Sequence, residues 1–134
     1  MKPVFMLDTN AVSAMARGKS RSMDKAVAIA GTKNLCISVM TEAEIRFGLA
    51  RKPEATKIAI SANALLAELP VLDWGSPEAA AYAAMRATME TSGATLSVFD
   101  SLIAAHALSS GCTLVTADKA FSMVPNLKTV NWEV

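Results

Sequence analysis

Soft metal ligands are scarce in this chain. Its 134 residues hold two cysteines, Cys36 and Cys112, and one histidine, His106, with no CxxC pair. A zinc centre would need more such ligands than these. Each cysteine opens an apolar run, Cys36-Ile37-Ser38-Val39 and Cys112-Thr113-Leu114-Val115. That pattern reads as two free, buried thiols in a cytoplasmic protein. Aromatic residues make up 5%, and Trp74, Trp132 and Tyr82 are too scattered to form a base-stacking platform. Neither GxGxxG nor GxxxxGK[ST] occurs, so the backbone cradle of phosphate-loop chemistry is missing. No GxSxG elbow surrounds a serine, and a Ser/His/Asp triad has no support. Long apolar runs are absent too. The longest stretch without Asp, Glu, Lys or Arg, Ser101 to Ala117, is broken by Ser109, Ser110, Gly111 and Thr113. It falls short of the roughly 20 apolar residues that a membrane span needs. Asp8 stands where a secretory leader would keep its apolar core, which argues against secretion.

What is present suits a packed domain. Hydrophobic residues make up 52% and charged residues 19%, which excludes a disordered tail. The length fits one domain over residues 1–134. Net charge is only +1, but it is unevenly spread. Residues 1–57 carry ten Lys/Arg against five Asp/Glu, and residues 58–134 carry three against seven. Arg17, Lys19, Arg21 and Lys25 form one basic cluster; Arg46, Arg51, Lys52 and Lys57 form another. Such clusters can steer a polyanion, or simply be the solvated faces of helices.

Apolar runs of strand type alternate with helical stretches. The runs are Val4-Phe5-Met6-Leu7, Leu35 to Val39, Val71-Leu72, Thr113 to Thr116 and Leu127 to Val130. Between them, helices are expected over Ala11–Ala16, Met23–Ala30 and Thr41–Arg51, from Pro53 through Leu69, over Ser76–Ser92 and over Asp100–Ser110, with a short turn from Asp118. Thr41 and Glu44 have the spacing of a capping box at the third helix. Strands that are apolar throughout, separated by helices, indicate an α/β fold with a mostly parallel sheet covered on both faces. Ligands of such sheets bind beyond the carboxyl ends of the strands.

Four acids fall at that rim. Asp8 follows the first strand, Glu44 lies one turn into the helix after the second, Asp100 begins the helix before the fourth, and Asp118 follows the fourth. Each alone has an ordinary reading as a helix cap. Together they repel one another unless a cation is bound. Oxygen-only ligands suit Mg²⁺ or Mn²⁺. Such an ion acidifies water and stabilises charge on a phosphoryl group, the logic of phosphodiester hydrolysis without a protein nucleophile. Glu42 is set aside as the acid-first partner of Arg46 four residues on, and His106 reads as a packed or surface residue of its helix.

The motifs resemble those of PIN domains. Met6-Leu7-Asp8-Thr9-Asn10 is similar to the family's opening motif, and Ile37 to Gly48 to its second. Phe99-Asp100-Ser101-Leu102-Ile103-Ala104-Ala105-His106-Ala107 and Leu114-Val115-Thr116-Ala117-Asp118 resemble the third and fourth, and Leu127 to Trp132 the closing segment. The resemblance spans nearly the whole chain and is nearest to the VapC toxin ribonucleases of type II toxin–antitoxin pairs, with FitB proteins close by. It implies a three-layer α/β/α fold with a mostly parallel sheet of four to five strands. It implies an Mg²⁺- or Mn²⁺-dependent endoribonuclease with Asp8, Glu44, Asp100 and Asp118 as catalytic acids. Among these, Asp8, Asp100 and Asp118 are the metal ligands, and Asn10 and Thr116 support them. It further implies a cytoplasmic homodimer, an RNA substrate, neutralisation by a cognate antitoxin, and operator DNA reached only through that antitoxin. Two departures stand out: Ser97-Val98-Phe99 precede Asp100 where relatives often have glycine, and no second acid stands close to Asp100. The residues alone also admit another carboxylate-rich phosphotransfer enzyme, or a binding module whose acids only cap helices. Against a common phosphatase, Asn10 stands where a second aspartate is wanted.

Overall fold

The computed structural model describes residues 2–133. Strand β1 (Phe5–Leu7) leads into α1 (Thr9–Arg17) and α2 (Arg21–Ala30). Then come β2 (Leu35–Ser38), α3 (Val39–Arg51), α4 (Thr56–Glu68), β3 (Val71–Leu72), α5 (Ser76–Ser92), α6 (Val98–Ser110), β4 (Thr113–Val115) and β5 (Thr129–Val130). A 3₁₀ turn, Lys119–Met123, precedes β5. The five strands form one sheet in the order β3-β2-β1-β4-β5, and every pairing is parallel. The chain thus leaves β1 toward one edge and later returns on the opposite side of it. That makes the carboxyl ends of β1 and β4 the switch point where sheets of this class bind ligands.

Alternation along the short strands feeds two cores. Met6, Cys36 and Leu114 point to the side covered by α5 and α6, where Met85, Met89, Ile103, Ala104 and Ala107 meet them. Leu7, Leu35, Ile37 and Val115 point to the other side, against Val12, Met23, Ile45, Ala62 and Leu66. Both strand faces are therefore apolar, as the uninterrupted runs required. Cys36 and Cys112 are buried free thiols with their sulfurs 3.9 Å apart, well beyond the length of a disulfide bond. No helix is long and apolar enough to cross a membrane among the described residues.

α1 and α2 start two residues before the sequence expectation, at Thr9 and Arg21, and three further helix starts differ as well. α3 begins at Val39, with Ser38 Oγ accepting from Met40 N–H at 3.1 Å. Thr41 is consequently buried inside the first turn and caps nothing, and the Thr41–Glu44 box does not form. α6 starts at Val98 with Ser97 as its cap, so Asp100 sits within the first turn. Pro53 lies in a turn ahead of α4, which starts at Thr56. For α3 and α6, a serine three residues upstream offers the same oxygen acceptor as the expected cap.

Candidate active site

Asp8 is placed by three backbone and side-chain contacts. Its N–H donates to Val115 O of β4 at 3.1 Å, which seats it between the ends of β1 and β4. Its Oδ1 accepts from Ala11 N–H at 2.8 Å and caps α1. Only 4% of the residue remains exposed. Burial pushes its carboxyl from 3.8 to about 6. The Thr116 hydroxyl and the Ala11 N–H pull the other way, and the charges of Asp100 and Glu133 add to the rise. A buried carboxylate among like charges is unfavourable as it stands.

Thr116 follows β4 and is itself buried. Its Oγ1 accepts from Asp118 N–H at 3.0 Å, so one hydroxyl joins the loop of Asp118 to Asp8. Asp118 is exposed and caps the 3₁₀ turn, with Oδ1 accepting from Ala120 N–H at 2.9 Å. Asp100, half-buried on α6, has its carboxyl raised by desolvation and, in addition, by the charge of Asp118. Repulsion therefore runs along Asp8, Asp100 and Asp118. Glu44 enters by a different route: its Oε1 accepts from the Thr9 hydroxyl at 2.5 Å. Thr9 is the neighbour of Asp8 and the first residue of α1, so the contact ties α3 to the end of β1.

The fold thus gathers Asp8, Asp100, Asp118 and Thr116, with Glu44 joined through Thr9. Asn10 is the expected supporting residue that lies on the surface. It is exposed on α1, and its side chain makes no hydrogen bond among the described residues. The residue after Asp8 supplies the polar contact, not the one two positions on. Glu42 pairs with Arg46 at 2.8 Å on the surface. His106 is buried, with Nδ1 2.7 Å from Ser38 Oγ, and burial lowers its pKa. Ser38 Oγ also accepts from Met40 N–H, so this hydroxyl links the start of α3 to the His106 imidazole.

Two participants were not legible in the sequence. Thr9 carries a weak signal, a hydroxyl beside the first motif acid. Glu133 carries none. It approaches Asp8 because β5 lies beside β4 and Asn131 Oδ1 accepts from Glu133 N–H at 2.9 Å just past the strand.

The donor set fits a hard divalent cation. It consists of carboxylate and hydroxyl oxygens, the carboxylates repel one another, and the salt bridges among the described residues lie elsewhere. Two buried hydroxyls, Thr41 Oγ1 and Ser101 Oγ, lack partners among the described residues. They lie in the first turns of α3 and α6, the turns that lead to Glu44 and hold Asp100. Unpaired buried oxygens of this kind are suited to water or an ion. The side chains are not drawn around one point, for no three His, Cys, Asp or Glu among the described residues converge closely enough to grip an ion.

Comparison with known proteins identifies relatives of this chain. The PIN domain model matches residues 5–127. The chain is 31% identical over 138 residues to VapC ribonuclease Y4jK of Sinorhizobium fredii, covering 97% of this chain and 99% of that one. It superposes on the structure of DNA-bound VapBC from Salmonella typhimurium with a TM-score of 0.90, at 26% identity over 97% of this chain and 98% of that one. FitAcB from Neisseria gonorrhoeae shares the fold, with a TM-score of 0.85 at 24% identity over 96% and 98% of the two chains.

Proposed function

Because the chain belongs to the PIN-domain family and its VapC ribonucleases, we propose that it hydrolyses RNA phosphodiester bonds with a divalent cation held at the rim of β1 and β4. Asp8, Asp100 and Asp118 are the ligands in this reading, and Glu44 completes the catalytic acids. The observation that carries it is the burial of Asp8 among like charges, with its carboxyl raised to about 6 and no salt bridge to it among the described residues. A bound Mg²⁺ or Mn²⁺ would supply Lewis acidity, lowering the pKa of water and stabilising charge on the phosphoryl group.

The remaining work belongs to this chain's own side chains. The Ala11 N–H and the Thr116 hydroxyl fix the direction of the Asp8 carboxylate. The Thr9 hydroxyl holds Glu44 toward the same rim. Thr116, between Asp8 and the Asp118 backbone, keeps the β4 loop in register with the end of β1. Asn10, exposed on α1 two residues past Asp8, is a further supporting residue in this reading.

The Salmonella typhimurium structure is of VapBC bound to DNA, and VapBC pairs are toxin–antitoxin systems. It supports a cognate antitoxin as this chain's partner. The same reading takes the active form as a cytoplasmic homodimer that meets operator DNA through the antitoxin.

The test is cleavage of total cellular RNA by the isolated protein with Mg²⁺, with Mn²⁺ and with chelator. Discrete fragments that require the metal, and that Glu44→Gln weakens, are expected. Equal cleavage in chelator would overturn the reading.

A further inference from the structure

Six described residues are both buried and polar or charged. Asp8 and Thr116 belong to the site already described. The other four, Ser38, Thr41, Ser101 and His106, all lie at the start of α3 or on α6. Those two helices carry Glu44 and Asp100. Apolar residues of similar shape would hold two helices together at no loss of stability, and often with a gain. What apolar contacts do not do is stop one helix from sliding on the other. A bonded polar pair fixes the register.

Ser38 and His106 are such a pair. Ser38 Oγ lies 2.7 Å from His106 Nδ1, and it also accepts from Met40 N–H at 3.1 Å. Ser38 ends β2 and caps α3, so a single hydroxyl joins the sheet, α3 and α6. Met40 packs into the core that α5 and α6 cover, which places the start of α3 against that layer. The other bonds that hold α6 come from the opposite side. Trp74 Nε1 donates to Leu102 O at 3.1 Å, and Ser109 Oγ donates to Glu78 Oε2 at 2.7 Å. Among the described residues, no second side-chain hydrogen bond joins α6 to β2 or α3.

We propose that His106 is a positioning residue that, through Ser38, sets the separation of Glu44 from Asp100. The inference rests on the ribonuclease reading above. Six positions separate Ser38 from Glu44, and six separate Asp100 from His106. Each arm is about 9 Å of helical rise. A tilt of about 6° at the joint moves the far end of such an arm by about 1 Å, a misplacement that can cost up to ~100-fold in rate. His106 itself is buried and touches no reacting atom.

The experiment is single-turnover cleavage of total cellular RNA, with protein in excess and Mn²⁺ saturating, well below every variant's melting temperature. His106→Asn puts its amide near the place of Nδ1 and can still bond Ser38. His106→Gln puts the amide farther out, near the other ring nitrogen, and cannot. Both lose the same ring. His106→Gln is expected to lower the limiting rate about tenfold or more, with the half-saturating protein concentration within about twofold, and His106→Asn to keep the rate within about threefold. Ser38→Gly removes the bond from the other end while keeping an N-cap residue that helices tolerate. It should slow cleavage as His106→Gln does, and adding it to His106→Gln should cost nothing more. Equal limiting rates in the Asn and Gln variants overturn the proposal, whether both are fast or both slow. So does a full rate in Ser38→Gly, which alone decides if the His106 variants do not fold. Failure of the ribonuclease reading shows separately, as absence of metal-dependent cleavage by the unsubstituted protein.

Discussion

Replacing Asp8 with asparagine should stabilise the metal-free protein while abolishing its activity. Asp8 is 4% exposed, and burial carries its carboxyl from 3.8 to about 6. Such a shift disfavours the charged form in the folded state. The contribution of this group favours folding below pH 3.8 and is lost as pH rises through about 6. Above pH 6 the buried charge costs about 3 kcal/mol relative to a neutral group. Asparagine keeps an oxygen for the Ala11 N–H, but it weakens the contact with Thr116, a loss of about 1 kcal/mol. The net expectation for Asp8→Asn in chelator at pH 8 is a gain of about 2 kcal/mol, near 7 °C in melting temperature for a chain of this length. The gain should vanish by pH 4. Mn²⁺ should reverse the order, because binding to the unsubstituted protein raises its melting temperature by linkage and the variant lacks a ligand. Thermal melts at pH 4, 6 and 8, with chelator and with Mn²⁺, check every part. A variant less stable than the unsubstituted protein in chelator at pH 8 would refute the claim that Asp8 is a strained anion awaiting a cation.

Three further outcomes are expected. The Mn²⁺ concentration for half-maximal stabilisation should rise steeply below pH 6, because Asp8, and Asp100 with its raised carboxyl, must both ionise to bind; melts across pH 5–8 measure it. Thr9→Val should cost about 1 kcal/mol in urea unfolding and reduce RNA cleavage without unfolding the protein, since Glu44 loses its donor. Ser38→Ala should cost about 2 kcal/mol, because it removes the α3 cap and leaves buried His106 without its partner; a change below 0.5 kcal/mol in the same urea assay would contradict that role.

The sheet was legible because its strands are buried on both faces and leave unbroken apolar runs. Asp8 was legible because it follows β1 directly, and Asp118 because it lies three residues past the end of β4, where a residue at the strands' carboxyl rim has few places to go. Helix starts were less so. Ser38 and Ser97 cap α3 and α6 one turn before the expected positions, since serine and threonine offer the same acceptor three residues apart. That shift buries Thr41 and frees Glu44 for Thr9. Asn10 and Thr9 differ by one helical step, about 100° around α1, which decides between solvent and site. The approach of Glu133 and the bond between Ser38 and His106 depend on which elements become neighbours. No local pattern encodes either.

The central claim is that one carboxylate rim both holds the cation and cleaves RNA. Titration of Mn²⁺ into chelator-stripped protein by calorimetry, with RNA cleavage read on the same samples, tests it most directly when Asp8→Asn and Asp100→Asn are run alongside. Saturable binding and cleavage in the unsubstituted protein, both lost in each variant, is the expected result. Metal-dependent cleavage that survives both substitutions would contradict the account and place the chemistry elsewhere on the molecule.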